Sequence, residues 1–98
     1  MGNLLKKIGL NPLINIPRGI IERLNNIEWV DLNTKYVLAT LYYLDSIDNL
    51  TMIRERLPRY TQLSWDECHR ALNILAQLKI IDYREGQVFL RVKPIKYK

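Results

Sequence analysis

The sequence predicts a mainly α-helical domain with one small β-hairpin near its C-terminal end, an α+β fold. Three observations carry this. Apolar residues recur at three- and four-residue steps in successive stretches between Asn33 and Leu78. After Leu78 the period changes to alternation, and Glu85-Gly86 stands midway in the alternating stretch as a turn. With 98 residues, 48% of them hydrophobic, the chain is one domain with a single core.

In chain order, Asn3 to Leu10 is short, basic and apolar, and reads as a docking arm or a plain terminus. Pro17 suits the first position of a short helix through Arg18, Ile20, Ile21, Glu22 and Leu24, because its missing N–H is not needed there, and Asn25 and Asn26 end it. Ile27, Trp29 and Val30 are expected to be buried under the next helix. That helix starts from Asn33 as N-cap, and Val37, Leu38, Leu41, Leu44 and Ile47 follow at helical spacing. Tyr36, Tyr42 and Tyr43 extend its apolar arc round most of the circumference, which predicts a central helix.

Thr51 is expected to cap a short helix from Met52 to Leu57 that stops at Pro58, and residues 58–63 form a polar, basic connection. The next helix, 64–78, is the best marked. Ser64 is an N-cap and Glu67, three residues on, completes a capping box. Cys68, Ala71, Leu72, Leu75 and Leu78 make its apolar stripe, and Trp65, Asp66, His69, Arg70, Asn73 and Gln77 fall on the other side. Strands are expected near 80–84 and 87–93. A two-residue turn at Glu85-Gly86 pairs Arg84 with Gln87 and Tyr83 with Val88; the alternative, a type I turn with Gly86 in a bulge, shifts the register and helps bury Phe89. Residues 94–98 form a basic tail.

The formal charge of +5 is uneven: residues 1–48 carry five basic and five acidic groups, residues 49–98 ten and five. A positive field over the second half suits a polyanionic partner. The single Cys68 has no disulfide partner and, on the apolar stripe, is a small core residue. With no signal peptide, it favours a cytoplasmic location. Lys6 stands where a myristoylation motif needs Ser or Thr, and no apolar run is long enough to span a bilayer. His69 is the only histidine and has no second ligand at metal spacing, so no metal or cofactor is expected. No nucleophile–base set, Gly-rich phosphate loop or distinct carboxylate pair is visible, which argues against an enzyme. Arg70 and Asn73, three apart on one helix face, are of the types that bond bidentately to guanine and adenine edges.

Helix, short helix, capped helix and hairpin, in this order, resemble the winged helix-turn-helix family of small bacterial, archaeal and viral transcription regulators. The residues that carry the resemblance are Leu50-Thr51-Met52-Ile53, Ser64 to Leu78, and Leu75-x-x-Leu78-Lys79-Ile80-Ile81, with Lys79 where the family commonly has Gly. It covers residues 33–93, leaving 1–32 as an N-terminal arm and helix. The resemblance implies a sequence-specific regulator of transcription that binds double-stranded DNA, with helix 64–78 in the major groove and hairpin 80–93 as wing. It assigns base contact to Trp65, His69, Arg70 and Asn73. Phosphate contact falls to Arg54, Arg56, Arg59, Ser64 and Arg84. A homodimer contact is expected in residues 1–32, through Ile14, Ile16, Ile20, Ile21 and Leu24. Two other readings stay open: an interaction module that docks on a protein of the transcription or replication machinery through Trp65, Tyr60 and the wing, and a sequence-independent DNA-coating protein. Trp65 itself is either a wedge over the core or an exposed anchor.

Overall fold

The computed structural model describes residues 16–47 and 50–93. Within them lie four helices, α1 (Arg18–Asn25), α2 (Leu32–Ile47), α3 (Ile53–Thr61) and α4 (Trp65–Gln77), and one antiparallel hairpin, β1 (Ile81–Arg84) and β2 (Gln87–Leu90). The arm at 3–10, Ile14 and the tail at 94–98 fall outside the described residues.

The fold is built round α2. Tyr36, Val37, Leu38, Leu41, Tyr42 and Leu44 are all buried, so the helix is covered on most sides, as its all-round apolar character requires. It starts two residues earlier than expected. Asp31, rather than Asn33, is the capping residue: its Oδ1 accepts the Thr34 amide at 2.9 Å and the Thr34 hydroxyl as well. Asn33 instead donates from Nδ2 to Glu67 Oε2 of α4 at 3.3 Å.

α1 begins at Arg18, and Pro17 is its N-cap rather than its first helical residue, with the Pro17 carbonyl accepting the Ile20 amide at 3.0 Å. Ile16, Ile20 and Leu24, expected at a contact with a second copy, are buried in the core of the chain itself. The Val30 amide donates to the Ile27 carbonyl at 3.2 Å, which turns those two side chains inward. Trp29, between them, is 59% exposed instead of buried.

α3 does not stop at Pro58. Proline removes one helical hydrogen bond, the one that the Arg54 carbonyl would accept, but continuing the helix buries Thr61 one turn beyond the buried Leu57. The Thr61 hydroxyl donates to the Leu57 carbonyl at 2.6 Å and lies 3.5 Å from Cys68 Sγ of α4. Packing outweighs the lost bond. Nor is Thr51 the cap: Met52 holds that position in the left-handed region at φ 53°, and no side chain caps the helix. Because α3 reaches Thr61, only Gln62, Leu63 and Ser64 separate it from α4.

α4 has the expected capping box. Ser64 Oγ accepts the Glu67 amide at 3.2 Å, and Glu67 Oε1 accepts the Ser64 amide at 3.2 Å. Cys68, Ala71, Leu72 and Leu75 are buried on α2 and α3. The helix ends in a Schellman motif: the Ile80 amide donates to the Leu75 carbonyl and the Lys79 amide to the Ala76 carbonyl, both at 3.0 Å. This geometry needs a left-handed residue, and Lys79 supplies it at φ 65°.

The hairpin has the two-residue turn, with Arg84 opposite Gln87 and Tyr83 opposite Val88. Glu85 and Gly86 both have positive φ, 54° and 75°, which matches the twist of the strands even though glutamate is a costly residue there. Ile81, Val88 and Leu90 face the core and Phe89 faces outward. β2 ends at Leu90, short of the expected residue 93. The chain after it is tied to α2 by the Tyr42 hydroxyl, which donates to the Val92 carbonyl at 2.6 Å. Among the described residues no buried side-chain polar atom lacks a partner.

Three outcomes follow for stability. Lys79→Gly should stabilise the protein by about 0.5–1 kcal/mol in urea unfolding, since glycine takes the left-handed conformation without the Cβ clash. Burial, with Asp45 adding to it, pushes the Tyr42 phenol up to about 12, so folding favours its protonated form. That contribution is complete below the ordinary value of 10 and is lost as pH rises toward 12. Stability should fall by roughly 2 kcal/mol over that window. Tyr42→Phe should cost about 1–2 kcal/mol at neutral pH and flatten the alkaline decline.

Candidate nucleic-acid interface

The periodicity that buries one side of α4 leaves the opposite side uncovered. Asp66, His69, Arg70, Asn73 and Gln77 are all exposed and form one outward row. The N-terminus of α2 borders one edge of this row and β1 borders the other, and each edge is fixed by side-chain bonds.

On the α2 edge, Arg70 Nη1 lies 3.3 Å from Asp31 Oδ2, with the two side chains 71% and 38% exposed. Asp31 therefore caps α2 and holds a residue of α4 with the same carboxylate. Burial alone would raise its pKa; the Thr34 hydroxyl and amide and the Arg70 guanidinium together carry it below the ordinary value.

On the β1 edge, His69 Nδ1 and Tyr83 Oη are 2.8 Å apart, and their rings meet edge to face with centroids 5.5 Å apart. The Trp65 ring is tilted against His69 at 5.8 Å, and the Arg54 guanidinium of α3 lies over Trp65 at 5.6 Å from the ring centroid. Burial raises the pKa of Tyr83, with nearby Arg54 acting the other way. Trp65 is half-buried against the core, with Arg54 and His69 packed around it, so it is both wedge and surface.

The residues singled out in the sequence are thus distributed as follows. His69, Arg70 and Asn73 share the outward row, and Trp65 stands at its start. Arg54 joins them through Trp65. Arg56 is half-buried and its Nη1 donates to the Thr51 carbonyl at 3.5 Å. Arg59 is exposed on the last turn of α3, and Arg84 is exposed at the turn end of β1. The Ser64 hydroxyl is already committed to Glu67 in both directions, accepting its amide and donating to its carboxylate at 3.1 Å. Sequence reasoning missed Asp31 and Tyr83. Asp31-x-x-Thr34 carries the signal of a helix cap, which could have been read; Tyr83 carries none beyond its place in a strand.

Among the described residues no group of three His, Cys, Asp or Glu side chains could hold a metal ion, and no helix is long and apolar enough to cross a membrane. Cys68 is buried beside Thr61, and burial pushes its thiol up, away from the reactive thiolate. A separate groove of about 310 Å³ between Leu50-Thr51 and Val88-Phe89-Leu90 has Asp45 and Lys93 as its charged groups. Compared with known proteins, the chain matches no family model, no curated protein and no solved structure.

The double duty of Asp31 can be separated by substitution. Asp31→Ala should cost about 1 kcal/mol through loss of the cap, whereas Asp31→Asn, which keeps a capping oxygen, should cost less while releasing Arg70. The wild-type contribution is present above the ordinary carboxylate value of 3.8 and lost as pH falls through the lowered folded value. Urea unfolding between neutral pH and about pH 3 should show a shallower acid decline in Asp31→Asn.

Proposed function

We propose that this chain is a winged-helix DNA-binding protein, a sequence-specific regulator that acts in the cytoplasm on double-stranded DNA. On this reading α4 enters the major groove and the hairpin is the wing. The observation that carries it is the outward row of α4: a capped helix, anchored on one side by fully buried residues, presents the exposed side chains of His69, Arg70, Asn73 and Gln77 on the other. The order α2, α3, α4, hairpin supports the winged form. So does the connection of three residues between α3 and α4, which is within the three to four of a simple helix-turn-helix. Arg54, Arg59 and Arg84 carry exposed positive charge on the flanking elements, where phosphates pass.

The interaction-module reading has less support, because Trp65 and Tyr60 are engaged within the chain, Trp65 by Arg54 and His69, and Tyr60 by Tyr43 at a ring distance of 6.0 Å. A homodimer is part of the regulator reading. Its contact falls to Trp29 and Leu32, which stay exposed, since Ile16, Ile20 and Leu24 are consumed in the core.

The test is selection of duplexes from a random pool, followed by titration of selected and random duplexes at two salt concentrations. Arg70→Ala and Asn73→Ala should each reduce the preference for the selected duplex by about 1–3 kcal/mol and leave random-duplex affinity nearly unchanged. Arg84→Ala should weaken both duplexes alike and lower the salt slope by about one. Tight binding without enrichment would assign the protein to sequence-independent coating, and no binding at low salt would remove DNA as the ligand.

A further inference from the structure

We propose that Arg54, His69 and Tyr83 form one anion site, floored by the Trp65 ring, that takes a single backbone phosphate of DNA. The proposal rests on the DNA-binding reading above and changes the part that His69 and Trp65 play in it. Three elements supply its residues: α3 gives Arg54, α4 gives His69, and β1 gives Tyr83, which orients His69.

Their contacts are continuous. Arg54 lies over Trp65 at 5.6 Å, Trp65 meets His69 at 5.8 Å, and His69 meets Tyr83 at 5.5 Å between rings and 2.8 Å between Nδ1 and Oη.

The guanidinium is the charged component. Arg70 and Arg91 are neutralised by Asp31 and Asp82, but Arg54 has no carboxylate partner among the described residues, although Glu55 and Asp66 adjoin it and Trp65 in sequence. It lies 5.6 Å from the centroid of the indole, and a guanidinium is a planar fork that fits two phosphate oxygens. In the proposed site the Tyr83 hydroxyl, 2.8 Å from His69 Nδ1, donates its proton to that nitrogen. That fixes the tautomer and leaves the His69 Nε2–H as a second donor.

Base reading by these two rings is correspondingly disfavoured. Stacking of a base needs an open ring face, and Trp65 has Arg54 over its ring and His69 tilted against it. His69 has one ring nitrogen already bonded, so it cannot make a bidentate contact. What the cluster offers is one cation and oriented N–H groups at the boundary between α4 and the hairpin, which suits a phosphate diester and carries no sequence information.

The experiment is a double-mutant cycle with the whole chain on a random-sequence duplex of about 20 base pairs, over a range of salt. Circular dichroism and urea unfolding verify that each variant is folded. Arg54→Ala should lower affinity about tenfold and the salt slope by about one, and Tyr83→Phe, which frees the His69 tautomer, should lower affinity about threefold at unchanged slope. The double variant should lose less than the product of the two, because both act on one phosphate. Independent losses that multiply, a loss confined to the selected duplex, or wild-type affinity in folded Tyr83→Phe would each overturn the site while leaving the DNA-binding reading intact. A wild-type protein that binds no duplex at low salt would overturn both.

Discussion

Everything in this fold answers to the burial of α2. A sixteen-residue helix with apolar side chains round most of its circumference cannot rest on one neighbour, so each other element has to cover part of it. α4 and α3 take one side, and Ile16, Ile20 and Leu24 of α1 and the preceding turn join the same core. The hairpin has little apolar area of its own and a two-stranded ribbon is marginal in isolation. It is held at its base by Ile80, Ile81, Val88 and Leu90 in the core and at its end by Tyr42 and Val92. The outward face of α4 is a consequence: with its apolar stripe committed to α2 and α3, its polar row has nowhere to go but solvent.

Local chemistry made some of this legible in the sequence. Ser64 and Glu67 announce the start of α4 because a capping box is made within four residues, and Glu85-Gly86 marks the hairpin turn but leaves two registers open, between which the structure takes the two-residue turn. At other positions packing overrules a local signal. Pro58 would end an isolated helix, but the helix persists because Leu57 and Thr61 are buried on either side of it. Lys79 is in a conformation that favours glycine because the chain must turn there to bring Ile80 into the core. Trp29 defeats the expectation that a large aromatic is buried, since a turn with Ile27 and Val30 inward leaves the residue between them facing out.

The candidate site divides the same way. That His69, Arg70 and Asn73 share an exposed face follows from helical period alone, and the structure agrees. Which of them is engaged by a neighbour does not follow. Arg70 meets a residue 39 positions away and His69 one 14 positions away, and no periodic pattern encodes such pairs. The candidate site therefore has different chemistry along its length. Trp65 and His69 are joined to Arg54 and Tyr83 in a packed cluster. Asn73 and Gln77 stand clear of neighbours, with no hydrogen bond to another side chain among the described residues.

Arg70 occupies the middle ground, and energetics decide whether its ion pair opposes the proposed role. An exposed pair of this kind contributes about 0–1 kcal/mol, since water screens both charges and both side chains lose rotamer freedom to make it. A bidentate contact with a guanine edge contributes about 1–3 kcal/mol of discrimination, so exchanging one partner for the other is favourable. Asp31 cannot retain the guanidinium against a matching base. It can hold it near the outward row in the free protein, which reduces the entropy lost when the contact forms, and repel any approach that leaves the carboxylate facing a phosphate. The same carboxylate fixes the first turn of α2, so the orientation of Arg70 is tied to the helix on which the whole core is assembled.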